Sequence, residues 1–223
     1  GATAEFAFAL LMATARRIVE ANNYIKAGNW HTWGPRVLLG QNVIGATLGI
    51  VGFGRIGKEL AHMVSGFNMR ILATARTIDP AIAREFGVTF VSLDELLAES
   101  DFVSLHVALN DETHHLIGAR ELALMKPTGI LINAARGRVV DTEALLAALR
   151  NGTIQAAGLD VTDPEPLSPN HPLVSMPNCV IAPHIASATV ETRDNMAIMA
   201  ARNLIAVLNG ETPASIINPD VLD

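Results

Sequence analysis

The stretch that decides the fold is Leu48–Gly57, which reads LGIVGFGRIG. Its first four residues predict the end of a buried strand, and a G-x-G-x-x-G motif follows at once and opens a helical pattern. In such a turn Gly52 permits the tight bend, Gly54 lets the backbone approach a pyrophosphate, and Gly57 allows close packing of helix on strand. Because the motif stands between a strand and a helix, we predict a dinucleotide site rather than a merely structural glycine turn.

The first helical turn after these glycines completes the predicted phosphate site. The backbone N–H groups of Arg55 and Ile56 lie where the helix dipole favours an anion. We therefore expect both residues to contact the pyrophosphate through the main chain.

Short apolar runs alternate with helical patterns on both sides of this turn. Near-continuous apolar runs are typical of strands that are buried on both faces. The predicted strands are Thr47–Val51, Met69–Ala75, Phe102–Val107, Gly129–Asn133, Ala156–Asp160 and Val180–Ala182. Since helical segments separate them, the sequence predicts an α/β fold, a Rossmann-type doubly wound parallel sheet with long flanking crossover helices.

Three regions are expected along the chain. Residues 1–40 form a crossover or dimerisation helix and loop, residues 41–187 the dinucleotide-binding Rossmann domain, and residues 188–223 a C-terminal helix and tail. Ala4–Ala27 is predicted as one long helix, apolar nearly all round in its first half. Such a helix is expected to be buried against another lobe or another subunit.

Composition excludes several classes of function. Of the 223 residues, 50% are hydrophobic and the formal net charge is -6, with no block of like charge, which argues against a nucleic-acid or anionic-membrane partner. No apolar run is long enough to span a bilayer. The single cysteine, Cys179, fits a reducing cytoplasm and lies in an apolar run that predicts a buried, inert thiol. No group of residues resembles a metal site, so no metal is expected.

The end of the second strand bears on the choice of cofactor. An acid about 20 residues beyond the glycines usually binds the ribose hydroxyls of NAD, but Ala75 stands in that place. Arg76 and Thr77 follow, and a guanidinium beside a hydroxyl can bind a 2′-phosphate. We therefore favour NADP, with NAD possible. The alternative is that Asp79 holds the ribose and Arg76 is a solvated surface charge.

Polar residues follow three later strands. Arg136 comes after the strand that ends at Asn133, Asp160 ends the next strand with Glu165 beyond it, and His184 follows the last. Taken singly, each is better interpreted as a surface charge, a loop acid or a satisfied loop histidine. Their order after a phosphate-binding turn reverses that preference. A second candidate for acid–base chemistry is His171, in a Pro-flanked loop.

In order, these motifs resemble those of the D-isomer-specific 2-hydroxyacid dehydrogenases. The resemblance covers essentially the whole chain and rests on Gly52–Gly57, Asn133–Gly137, Gly158–Val161 through Glu165-Pro166, and Pro183–Ile185. Within that family, Ala73–Thr77 and Gly158–Thr162 look most like glyoxylate/hydroxypyruvate reductases.

The resemblance implies a role for each polar residue. Arg136 would hold the substrate carboxylate and polarise the carbonyl, His184 would donate the proton in reduction, and Glu165 would pair with His184. Asp160 would bind the nicotinamide carboxamide. The remaining cofactor contacts would come from Val107, Ala108, Ala134, Ala135 and Ala186. Ala108 and Ala186 depart from the family pattern, which commonly has proline and glycine there.

The expected activity is hydride transfer between NAD(P)H and a small 2-keto acid, with glyoxylate or hydroxypyruvate as substrate. D-lactate, 3-phosphoglycerate and an NAD(H)-sensing module of corepressor type are the alternatives. The resemblance also implies a homodimer, for which the apolar helix Phe6–Ala15 suits the contact. Because the chain begins with Gly1 and is at once helical, we expect a substrate lobe before it, and little activity without that lobe.

Overall fold

The computed structural model describes residues 1–219 and contains a seven-stranded sheet in the order β3-β2-β1-β4-β5-β6-β7. The strands are β1 Thr47–Val51, β2 Arg70–Thr74, β3 Val88–Phe90, β4 Phe102–Leu105, β5 Ile130–Asn133, β6 Ala156–Leu159 and β7 Cys179–Ile181. Every neighbouring pair is parallel. The order reverses between β1 and β4, and in such sheets the ligand crevice lies at the carboxyl ends beside this reversal.

The described chain also contains helices, most of which connect successive strands. They are α1 Ala2–Ala15, α2 Ile18–Lys26, α3 Arg55–Met63, α4 Pro80–Phe86, α5 Leu93–Glu99, α6 Ala119–Leu124, α7 Thr142–Asn151, α8 Pro172–Ser175 and α9 Val190–Leu208. Short 3₁₀ helices span Val64–Phe67 and Gly137–Val139. The predicted Rossmann-type α/β fold is confirmed. Among the described residues, no helix combines the length and hydropathy needed to cross a membrane.

The single helix predicted for Ala4–Ala27 is wrong, because the helix breaks at Arg17, whose φ is 53°. In a continuous helix the carbonyl of Ala15 would accept the N–H four residues on. It accepts the N–H of Gln41 instead, at 2.8 Å. Gly40 makes this approach possible, since a Cβ there would lie 2.4 Å from the Ala15 oxygen. The returning loop thus ends α1 and lets α2 take its own direction.

Helix α1 packs closely on the sheet at Gly158 in β6. A Cβ at Gly158 would lie 2.8 Å from Cγ of Leu10 and 2.8 Å from Oγ1 of Thr14, so a larger residue has no room. The buried residues of α1 are Ala4, Ala7, Leu10, Leu11, Thr14 and Ala15. Much of the apolar surface of Phe6–Ala15 therefore covers the chain's own core.

The sequence pattern missed strand β3. It has three residues and pairs with β2 at the edge of the sheet. Three residues are too few to show a period of two. The predicted bounds of the other strands lie within two residues of those in the structure, and those of β1 are identical. Edge strands are commonly this short.

Two compact units emerge from the pattern of contacts. The first comprises Gly1 and Thr3–Ala186, and so includes the sheet and both N-terminal helices. The second comprises Ala2 and the described residues from Ser187 onward, with α9 as its main element. The three regions expected from the sequence stay predictions.

Candidate active site

The glycine turn leaves β1 with a backbone conformation that only glycine adopts readily. Gly52 has a φ of 96°, and its N–H donates to the carbonyl oxygen of Thr74 at 3.2 Å. A Cβ at Gly52 would lie 2.8 Å from Cγ1 of Val107 and 2.9 Å from the carbonyl oxygen of His106. The turn is therefore fixed between the ends of β2 and β4.

The start of α3 has the features of an anion site. Gly54 is the N-cap, contributes no side-chain cap, and has open space where a Cβ would stand. The first turn of α3 contains no acid, so its free N–H groups, including those of Arg55 and Ile56, are available to a phosphate. Gly57 packs against the turn, since a Cβ there would lie 2.7 Å from the Gly52 oxygen. These residues fit a dinucleotide pyrophosphate.

At the end of β2, Ala75 is half-buried while Arg76 and Thr77 are exposed. Arg76 forms no salt bridge with any residue in the described part of the chain. Asp79 caps α4, because its Oδ1 accepts the N–H of Ala81 at 2.8 Å.

Arg136 lies in the turn that follows β5. Its Nη1 donates to the carbonyl oxygen of Ala135 at 2.6 Å, and its side chain faces solvent, whereas Ala134 and Ala135 are buried. The turn also abuts the loop after β6, since a Cβ at Gly137 would lie 1.9 Å from the carbonyl oxygen of Thr162. The arginine turn and the β6 loop are thereby held together through backbone.

Glu165 and His184 form a close pair. Oε1 of Glu165 lies 2.5 Å from Nδ1 of His184, and the two side chains are 41% and 48% exposed. Because a carboxylate only accepts, Nδ1 carries the hydrogen and Nε2 remains free for a ligand. His184 adopts a φ of 55°, which is unusual for a residue other than glycine.

Asp160 holds the loop that carries this histidine. Its side chain is 1% exposed, and its two oxygens accept the N–H groups of Ile185 and Ala186, each at 2.8 Å. Its own carbonyl accepts the N–H of His184 at 2.8 Å. Each oxygen keeps a second lone pair that can accept another hydrogen bond. The predicted contact to the nicotinamide carboxamide is compatible with this geometry and stays a prediction.

Beside this pair, a groove of about 1240 Å³ runs along the open edge of the sheet. It extends from Glu165 and His184 past β7 to Asn23 of α2. Neither the glycine turn nor Arg136 lines it, whereas Asp160 does.

Comparison with known proteins identifies the family. The model of the D-isomer specific 2-hydroxyacid dehydrogenase NAD binding domain matches residues 8–186. The chain belongs to this family. The glyoxylate reductase of Thermococcus onnurineus is 53% identical over 100% of this chain and 67% of its own length. That of Aeropyrum pernix is 51% identical over 99% of this chain and 67% of its own length.

Solved structures agree with this assignment. The TT0316 protein of Thermus thermophilus is 51% identical, with a TM-score of 0.92 over 97% of this chain and 68% of its own. A glyoxylate reductase from Paecilomyes thermophila is 39% identical, with a TM-score of 0.84 over 95% of this chain and 63% of its own. The lobe is thus the NAD(P)-binding domain of a D-isomer specific 2-hydroxyacid dehydrogenase.

Within this dehydrogenase lobe, the predicted polar residues follow adjacent strands. Arg136 comes after β5, Asp160 and Glu165 after β6, and His184 after β7. Of the smaller predicted contacts, Val107 is half-buried, Ala108 is exposed and Ala186 is buried. The second acid–base candidate, His171, is occupied as a cap, since its Nδ1 accepts the N–H of Leu173 at 3.3 Å. Across residues 1–219 no cluster of metal-binding side chains occurs.

His106 directly follows β4 beside the glycine turn, where the sequence places it near the cofactor. Its Nε2 lies 2.9 Å from Oγ of Ser104, and its buried Nδ1 has no hydrogen-bond partner among the described residues. Burial lowers the pKa of His106 from 6.5 to about 4. The signal was present in the sequence, because Ser104 and His106 interrupt an apolar strand at a spacing of two.

The lowered pKa of His106 predicts a loss of stability in mild acid. Because the unfolded chain binds this proton first, the free energy of unfolding falls as the pH drops from 6.5 toward about 4. We expect the His106 contribution to this fall to be about 2 kcal/mol between pH 7 and 4.5. Urea unfolding at both pH values should show a smaller fall in His106→Asn. The exposed His62 provides the control, since His62→Asn should behave like the wild type, and equal falls in all three proteins would contradict the prediction.

Proposed function

We propose that this lobe serves an enzyme that reduces glyoxylate, and also hydroxypyruvate, to the 2-hydroxy acid. The main observation that supports this proposal is the 2.5 Å contact between Oε1 of Glu165 and Nδ1 of His184, at the same edge of the sheet as Arg136. Relatives named glyoxylate reductase are 53% and 52% identical to this chain, whereas two structures of D-lactate dehydrogenase are 33% and 32% identical. This difference favours glyoxylate over D-lactate as the substrate.

In the proposed reaction three side chains act on the keto acid. The guanidinium of Arg136 binds the substrate carboxylate and sets the face of the carbonyl that is attacked. A bound nicotinamide supplies the hydride. Nε2 of His184 gives its proton to the carbonyl oxygen, which becomes the hydroxyl, and Glu165 stabilises the imidazolium and orients it through Nδ1.

Removal of His184 is the direct test. In the full-length protein, His184→Ala should lower kcat for glyoxylate by roughly 10²–10⁴-fold, because a positioned acid is lost, while NADPH binding persists. The decrease in NADPH absorbance with glyoxylate and hydroxypyruvate measures this, with His171→Ala as the control expected to retain activity. If the wild type shows no substrate-dependent loss of NADPH, the protein is better described as a dinucleotide sensor.

We further propose that NADPH is the preferred cofactor. Arg76 is exposed beside the end of β2, close to the glycine turn through the contact between Gly52 and Thr74. Asp79, the acid that the alternative assigns to the ribose, caps α4 through its Oδ1. A guanidinium that follows the place where an acid would bind the ribose of NAD favours a 2′-phosphate.

Substitution of Arg76 separates the two cofactors. Arg76→Ala should weaken NADPH binding about tenfold or more, through loss of a charge-assisted hydrogen bond, and change NADH binding by less than about twofold. Fluorescence titration of both cofactors measures these affinities. Arg84→Ala, an exposed arginine on α4, controls for the general loss of positive charge, and an equal effect on NADPH and NADH would refute the role of Arg76.

We also propose a homodimer, formed through α2 and the loop after it. These segments expose large apolar side chains, namely Ile18, Ile25, Trp30, Trp33, Val37 and Leu39. Several large exposed apolar side chains in one stretch of chain favour an interface there. Since much of α1 is covered by the chain's own sheet, this surface replaces Phe6–Ala15 as the proposed contact.

Light scattering tests the dimer. At micromolar concentration the chain should show twice the 23.7 kDa of one copy, and Trp33→Ser should shift it toward the monomer. Ile78→Ser, at an exposed apolar residue outside the proposed surface, should leave the mass unchanged. A monomeric wild type would contradict the proposal.

A reducing cytoplasm is the proposed compartment. Cys179, the single cysteine, has no internal disulfide partner, as is usual where thiols stay reduced. Burial raises the pKa of its thiol to about 12, which makes it unreactive.

A further inference from the structure

Asn133 is a buried amide at the end of β5, with 1% of its surface exposed. Its Oδ1 accepts the N–H of Ala135 at 3.0 Å, and its Nδ2 donates to the carbonyl oxygen of Arg136 at 2.9 Å. A side chain that bonds the backbone two and three residues ahead closes a compact turn. This turn connects the end of β5 to Arg136.

These two bonds satisfy the N–H of Ala135 and the carbonyl oxygen of Arg136, which form no backbone hydrogen bond with β6. Ala135 is 8% exposed, and a buried N–H without a partner costs about 1–3 kcal/mol. The Arg136 oxygen also accepts the N–H of Val139, at a longer 3.2 Å. The shape of the turn therefore depends on the Asn133 amide.

Ala135 links Asn133 to the guanidinium of Arg136. Its N–H is held by the Asn133 side chain, and its carbonyl accepts Nη1 of Arg136 at 2.6 Å. On the far side of Arg136, the close approach of Gly137 to Thr162 fixes the backbone. The guanidinium is thus held from both ends of its turn.

We infer that Asn133 is a positioning residue, which sets the direction of the Arg136 guanidinium toward the substrate carboxylate. The inference rests on the proposed function, in which Arg136 binds that carboxylate. A fork that binds a planar anion tolerates little displacement, and a shift of about 1 Å can cost 10²-fold in rate. Asn133 itself touches neither substrate nor cofactor in this assignment.

A double-mutant cycle tests the inference in the full-length protein. Asn133→Leu keeps the branch at Cγ and removes both hydrogen bonds, so the KM for glyoxylate should rise about tenfold with a smaller fall in kcat, as expected when ground-state binding of the carboxylate is weakened. In the background of Arg136→Ala, the same change should cost little further kcat/KM, because Asn133 acts through Arg136. Additive losses would overturn the inference.

Two controls separate positioning from general damage. Because this turn also carries the predicted cofactor contacts Ala134 and Ala135, NADPH affinity is measured separately. The rise in KM for glyoxylate at saturating NADPH should exceed any loss of NADPH affinity. Asn178→Leu removes another half-buried amide, which bonds the carbonyls of Leu149 and Gln155, and its KM for glyoxylate should be unchanged. An equal rise in KM for both variants would overturn the inference.

A second variant keeps the inference testable if Asn133→Leu does not fold. Asn133→Asp has nearly the same shape and keeps the acceptor for Ala135, but it turns an oxygen toward the Arg136 carbonyl, so KM should again rise. If Arg136→Ala lowers kcat/KM while neither Asn133 variant does, the inference fails and the proposed function stands. If Arg136→Ala itself has no effect, both fail.

Discussion

One register row across the parallel sheet fixes the spacing of every group in the site. The residues that pair in this row, from β1 to β7, are Val51, Leu105, Asn133, Leu159 and Ile181. All site loops begin at or just beyond it. Because parallel strands lie about 4.8 Å apart, the glycine turn after β1 and the histidine loop after β7 are separated by roughly four strand spacings, or about 19 Å. The sheet therefore sets the distance between the glycine turn and the His184 loop before any side chain contributes.

Beyond this row the strands no longer pair through their backbones, and side chains form the hydrogen bonds that hold the loops. Asp160 accepts two N–H groups of the histidine loop, and Asn133 accepts and donates within the arginine turn. Both are about 1% exposed, so their bonds are formed away from water, where an unsatisfied partner is costly. These side-chain hydrogen bonds stand where the next backbone hydrogen bonds between strands would be, and they hold the loops as the chain turns away from the sheet.

How far the sequence predicts this arrangement depends on whether its signals are local. The glycine turn and the apolar strands are local patterns, and the structure has them close to the expected bounds. The break at Arg17 was not predictable in this way, because it depends on Gln41, which is 26 positions beyond Ala15 and takes the Ala15 carbonyl. The same holds for Asn133 and Asp160: their types and places were visible, but the N–H groups they hold are known only from the fold.

The two halves of the site differ in how they are supported. The glycine turn follows β1, which has neighbours on both sides and is approached closely by Gly57 of α3 at Ile50. His184 follows β7, an edge strand of three residues that are all only half-buried. Local opening begins where few buried contacts oppose it, so the edge can loosen while the central strands stay intact. The Asp160 carboxylate, anchored at the end of β6, is what ties the histidine loop to the better-supported part of the sheet. The glycine turn and the histidine loop thus depend on separate parts of the fold, and Asp160 ties the histidine loop to β6 through both its side chain and its carbonyl oxygen.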